Sequence, residues 1–195
     1  VPYLARGKQS DRLKLFCETH YGRAKNDLAN VFLERCLELA LPPSPSGRGV
    51  GGEGAMQIVM PQNWLFLGSY KKQREHLLKA ETWNLLARLG SGAFDSISGE
   101  VVNVILLTFT HAKPNNSQIL HGLDASAPRT VEDKAALLRE ADVVAVEQAR
   151  QLENPKHAVN FAYYSDKSML SDLVEVHYGS KPGQTVRVTR AFWEI

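Results

Sequence analysis

Gly47, Gly49 and Gly52, in the stretch GRGVGG, carry the spacing of a dinucleotide-binding loop. That chemistry requires a strand before the glycines and a helix after them, so that the helix N-terminus meets a pyrophosphate. Here a helix-like stretch precedes and a strand-like stretch follows, so the match carries no nucleotide site. The histidines at 20, 76, 111, 121, 157 and 177 are scattered. None stands at metal-ligand spacing from another histidine, a cysteine or a carboxylate. No G-x-S-x-G elbow and no Walker A pattern occurs, so no hydrolytic nucleophile is visible. Cys17 and Cys36 lack C-x-x-C spacing and read as small buried apolar residues, which fits a reducing cytoplasm.

Two stretches keep chemical potential. PQNW, residues 61–64, follows a strand-like run. Residues at the carboxyl end of a strand in an open α/β sheet line the ligand crevice. Asn63 and Trp64 could hydrogen-bond to and stack on a ligand there, or equally cap the next helix and fill the core. The second stretch is VPYLARGKQS, at the start of a basic segment. Residues 1–25 hold Arg6, Lys8, Arg12, Lys14, Arg23 and Lys25 against Asp11 and Glu18. Such a surface suits a phosphate backbone, although a solvated helix face has the same composition.

The elements that must position these residues follow from patterning. A chain of 195 residues can bury roughly 70% of its unfolded surface in one domain. Its 44% hydrophobic and 23% charged residues are ordinary for a globular protein, and a net charge of +2 does not by itself argue for nucleic acid. The longest apolar run is too short to span a bilayer, so no membrane is expected. Residues 1–10 read as loop and 11–22 as a helix. In residues 26–40, apolar side chains recur at helical spacing from Leu28 through Phe32 to Leu39, with Asn26 or Asp27 as cap and Glu34 and Glu38 on the polar side. LPPSPSGRGVGGEG reads as an exposed flexible loop. Met56 to Met60 reads as a strand, residues 70–81 as an amphipathic helix, and WNLLARLG and GEVVNVILLTFTH as further strands. This rhythm indicates an α/β domain with strands buried on both faces. Residues 112–130 read as loop, and residues 130–154 as one long helix opened by Thr130 and Asp133. The remainder is β-prone.

The order PYLARGK, NDLANVFLERCLELA, MQIVMPQNWLFLGSYKKQREHLL, WNLLARLGSGAFDSISGEVVNVILLTFTHAKP resembles the adenine-N6 DNA methyltransferases. Among these it is most similar to the large restriction–modification and phage-exclusion (BREX, PglX-like) type, over most of residues 2–114. The resemblance implies the C-terminal half of a Rossmann-like class I methyltransferase sheet, followed by a long helix and the β-prone start of a recognition region. It divides the chain into a partial catalytic domain over 1–114, with a Pro/Gly/Ser-rich insertion at 42–54, and a linker with the start of the target-recognition region over 115–195.

That family's catalytic loop reads Asn-Pro-Pro-Tyr. The resemblance places Pro2 and Tyr3 on its last two positions and Val1 on the first Pro, with the Asn position ahead of Val1. The amino nitrogen of adenine is a poor nucleophile, because its lone pair is delocalised into the ring. Acceptors on its two hydrogens localise that pair for in-line attack on a methyl group, and the aromatic residue stacks on the flipped base. The resemblance further implies S-adenosylmethionine as cofactor, Phe32 lining its pocket, Arg6 and Lys8 meeting DNA phosphates, and DNA as partner. The family's glycine-rich cofactor motif belongs to the first strand of the sheet, so a separate chain carrying the cofactor-binding half is a possible further partner. The chain by itself is accordingly expected to be inactive. A non-catalytic remnant or interaction module of a split or decayed methyltransferase is the alternative.

Overall fold

Strand β1 (Ala55–Pro61) and strand β3 (Val104–Thr110) turn alternate side chains to a buried face, with Ile58, Met60, Ile105, Leu107 and Phe109, and to a second face that is half-buried or exposed apart from Val104. A computed structural model describes residues 2–40, 54–94 and 102–161. The strands after β1 are β2 (Thr82–Gly90), β3, β4 (Ile119–Asp124) and β5 (Val144–Glu147). They form a five-stranded sheet in the order β1-β3-β2-β4-β5. β3 runs antiparallel to both β1 and β2, so those two are parallel to each other with β3 between them. β4 pairs parallel to β2, and β5 pairs antiparallel to β4. The sheet is therefore mixed.

Helices cover both faces. Helix α1 (Asp11–His20) opens at Ser10, whose hydroxyl accepts from the Leu13 amide at 3.4 Å. Helix α2 (Leu28–Leu39) is capped by the Asp27 carboxylate, which accepts from the Ala29 amide at 2.9 Å. Leu33 and Leu37 of α2 and Leu77 and Leu78 of α3 (Lys71–Ala80) pack on Ile58, Met60, Leu86, Ile105, Leu107 and Phe109. Trp83 lies edge-on to Phe109, with ring centroids 4.8 Å apart. On the opposite face, Leu137 and Leu138 of α4 (Val131–Glu140) meet Ala87, Leu89, Val104 and Leu123. Cys17 and Val31 join α1 to α2. Both cysteines are free, Cys17 buried and Cys36 half-buried.

The structure changes three readings. The expected loop at 112–130 contains β4, whose short apolar run is interrupted by His121 and Gly122. The expected long helix at 130–154 ends at Glu140, although Thr130 does accept from the Asp133 amide at 3.1 Å. Val143, Val144 and Val146 favour extended backbone, and β5 replaces the helix where it can pair with β4. On α2, Phe32 is exposed, whereas Glu34 is buried. The Gly47–Gly49–Gly52 pattern, most of the 42–54 insertion and the β-prone segment from residue 162 lie outside the described residues.

Candidate nucleic-acid and base-binding site

Segment 2–6 is stitched onto the start of α2 rather than left loose. The Leu28 amide donates to Leu4 O at 3.0 Å, and the Arg6 amide donates to Asn26 O at 2.9 Å. Ala5 and Asp27 form an antiparallel bridge, and the buried Gln9 amide group donates to Leu4 O at 3.1 Å. Pro2 is exposed, while Tyr3 is half-buried against the main core. Burial, then the nearby Asp27 carboxylate, pushes the Tyr3 phenol above its ordinary pKa. The same two causes push Tyr70 up to about 12. Both phenols therefore stay protonated at neutral pH, and both can donate a hydrogen bond.

The loop between β1 and α3 adjoins this segment. Asn26 Nδ2 donates to Ser69 O at 3.1 Å. Asn30 and Gln73 join α2 to α3 reciprocally: Asn30 Nδ2 donates to Gln73 Oε1 at 2.7 Å, and Gln73 Nε2 donates to Asn30 O at 3.2 Å. Thus the end of β1, the start of α2 and the start of α3 form one rim at the carboxyl end of β1. This is where an open α/β sheet holds its ligands. Because β1 and β2 are parallel, Gly90 and the exposed Phe94 beyond it lie at the same end. Gly90 has φ +66°, and a Cβ there would stand 2.9 Å from Ser126 Cβ.

The expected site residues divide on this rim. Tyr3 and the Arg6–Lys8 turn share it. Arg6 forms an ion pair with Glu18, which also lies 3.5 Å from Lys25 Nζ, while Lys8 is exposed. Phe32 is 42% exposed on α2, so its aromatic face is open rather than part of the core. Trp64 is fully buried and packs 5.7 Å from Trp83, so it fills the core. Asn63 is exposed, and its carbonyl accepts from the Phe66 and Leu67 amides at 3.3 and 3.0 Å.

Sequence reasoning missed Arg74. It lies in a helix whose other cations are solvated, but it is 0% exposed. Its guanidinium donates to His157 O at 2.9 Å, Leu67 O at 2.9 Å, Lys156 O at 2.7 Å and Trp64 O. Burial lowers its pKa to about 10, so it remains charged at neutral pH. Lys156 and His157 both have positive φ, at 55° and 53°. Arg74 thus holds two loops at the rim through carbonyls alone.

The opposite end of the sheet has a different character. A cleft of about 200 Å³ is lined by Glu34, Glu38, His76, Glu81 and His111, with Arg23 at its mouth. His111 Nδ1 lies 2.9 Å from Glu81 Oε2. Among the described residues no three such groups are placed to hold a metal ion. Among them, too, no helix is long and apolar enough to cross a membrane.

No protein-family model matches the chain. It is 33% identical over 103 residues to the adenine-specific methyltransferase PglX of Lacticaseibacillus casei (strain Zhang), which covers 52% of the chain. It is also 33% identical over 101 residues to the adenine-specific methyltransferase BrxX of Escherichia coli O9:H4 (strain HS), again covering 52% of the chain. Its sequence relatives are adenine-specific methyltransferases. The chain spans 8% of the length of PglX and 8% of BrxX. Among solved structures it is similar to a modification subunit of a putative type I restriction enzyme from Vibrio vulnificus YJ016. That similarity has a TM-score of 0.48 and 19% identity, over 63% of this chain and 28% of that one. The type I restriction enzyme EcoKI M protein aligns with a TM-score of 0.38 and 20% identity, over 56% of this chain and 23% of that one.

Proposed function

We propose that these residues belong to an adenine-specific DNA methyltransferase that moves a methyl group from S-adenosylmethionine to adenine N6, in the cytoplasm and on duplex DNA. The likeness to PglX and BrxX carries the reading. In it the sheet is the C-terminal half of a Rossmann-like methyltransferase sheet. The reading leaves the cofactor-binding half to residues other than those described; the chain spans 8% of either relative.

The rim accommodates this chemistry. Tyr3 is held at a fixed height by the backbone bonds of the Leu28 amide to Leu4 O and the Arg6 amide to Asn26 O, and its neutral ring offers a face for a base turned out of the duplex. Lys8 meets the phosphates beside it, and Arg6 joins once its guanidinium turns from Glu18. Phe32 fits as one wall of the cofactor site because its exposed ring is free to stack on a heteroaromatic group. When bound, the cofactor supplies an electrophilic methyl on a sulfonium. The residues here orient the accepting base and exclude water from its stacked face.

Transfer of label from methyl-labelled S-adenosylmethionine into duplex DNA by the full-length protein tests the reading. Label is expected in adenine-containing duplex and not in duplex built of G·C pairs alone. Tyr3→Ala should lower transfer by about tenfold to about a hundredfold, the range of one lost base–aromatic stack. Equal incorporation into both duplexes, or none into long unmethylated DNA of mixed sequence, would refute it.

A further inference from the structure

The loop between β1 and α3 buries Trp64, Leu65 and Tyr70 but turns Phe66 and Leu67 outward, 50% and 42% exposed. The pair is held rigidly. Both amides bond to Asn63 O, Tyr70 N donates to Leu67 O at 3.1 Å, and Val159 N donates to Leu65 O at 2.9 Å. The buried Arg74 guanidinium grips the carbonyls of Trp64 and Leu67 from beneath.

Cations adjoin that loop. The Lys156 side chain lies over Gly68, with its Cδ, Cε and Nζ 3.5 to 3.8 Å from the position a Cβ would take. Lys156 itself sits at φ 55°, a strained backbone that Arg74 stabilises through Lys156 O. Lys71 and Lys72 open α3, are exposed, and have no acidic residue with them in the first turn. The helix dipole disfavours cations there, and Glu75 one turn on offsets part of that for Lys71. The same rim continues through Ser69 and Asn26 to the Tyr3 segment and the Arg6–Lys8 turn.

We propose that Phe66 and Leu67 form a wedge that enters the base stack of duplex DNA beside the target adenine, with Lys156, Lys71 and Lys72 holding the flanking phosphates. Rigid apolar side chains inserted between base steps unstack and unwind the duplex, and that lowers the work of extruding a base toward Tyr3. The inference rests on the methyltransferase reading above.

Closing a nicked plasmid with ligase in the presence of the full-length protein reads the wedge without knowledge of the target sequence, since inserted side chains leave a linking-number change. The wild-type protein should shift the topoisomer distribution. The double variant Phe66→Ala, Leu67→Ala should bind with an unchanged salt slope, leave the distribution unshifted, and lose about tenfold or more in methyl transfer. Lys156→Gln should reduce the salt slope of binding by about 1 and still shift topoisomers at saturation. Thermal melts matching wild type establish that each variant folds; should the double variant melt early, Phe66→Asn alone replaces it. A wild-type protein that methylates DNA without shifting topoisomers, or a folded wedge variant that shifts them fully, overturns the wedge and leaves the methyltransferase reading standing. A protein that neither binds nor methylates DNA overturns both.

Discussion

Glu34 shows how one side chain departs from its helix pattern. Helical spacing pairs it with Glu38 on the polar side of α2, and Glu38 is indeed exposed. Glu34 is 8% exposed. Its Oε1 receives no hydrogen bond among the described residues, and the nearest cation is Arg23 Nε at 3.8 Å. Burial raises its carboxyl above the usual 4.5, against lowering by Arg23 and Gln73, while Glu38 adds to the rise. The folded state therefore holds this proton more tightly than the unfolded chain. The associated stability is fully present below pH 4.5 and is lost as pH rises through the folded value. His76 lines the same cleft with the opposite sense, since burial and then Arg23 lower its pKa from 6.5. The contrast between wild type and Glu34→Gln removes that background. In melts taken across pH, Glu34→Gln should be more stable than wild type at pH 8. The gap should close as pH falls toward about 4, where both side chains are neutral. A gap that is constant with pH would mean the carboxylate is solvated in the folded protein.

At the scale of elements, α3 is held by Arg74 as much as by its apolar face. Substituting Arg74→Met keeps much of the side-chain length but leaves the carbonyls of Trp64, Leu67, Lys156 and His157 without this donor. At about 1–3 kcal/mol for each buried unsatisfied group, partly relieved by water, a loss of at least about 3 kcal/mol is expected in urea unfolding. A loss under about 1 kcal/mol would mean the loops do not depend on it. This contact was invisible in the sequence because its partners are seven to 83 positions away. Strands β1, β2 and β3 and helices α1 to α3 were legible, because each carries its own periodicity and the Asp27 cap is local. β4 and β5 were not. Their runs are short, β4 contains His121 and Gly122, and β5 follows α4 without a glycine or proline stop. Pairing with β2 and with each other defines them as strands. The resemblance singles out the Tyr3 segment, which the structure ties to the start of α2, but Phe66 and Leu67 look in sequence like ordinary core residues. Only the burial of Trp64, Leu65 and Tyr70 around them reveals which way they face.

For the whole sheet, the backbone at β1 is the open question that exchange can answer. β2 pairs with β3 and β4, and β3 pairs with β1 and β2, whereas β1 has β3 alone among the described residues. Its side chains are nevertheless well held, with Met60 0% and Ile58 6% exposed. The strand should therefore stay in place while one edge of its backbone meets solvent, a condition that invites pairing with a further strand. Amide hydrogen exchange separates the cases. Slow exchange is expected through the middle of β2 and β3, and along β1 slow and fast amides should alternate with the pleat, because successive amides point to opposite edges. Uniformly fast exchange in β1 would mean that the strand frays despite its buried side chains. Uniformly slow exchange would mean that another strand lies along the free edge, adding to the sheet beside the rim where Tyr3 stands.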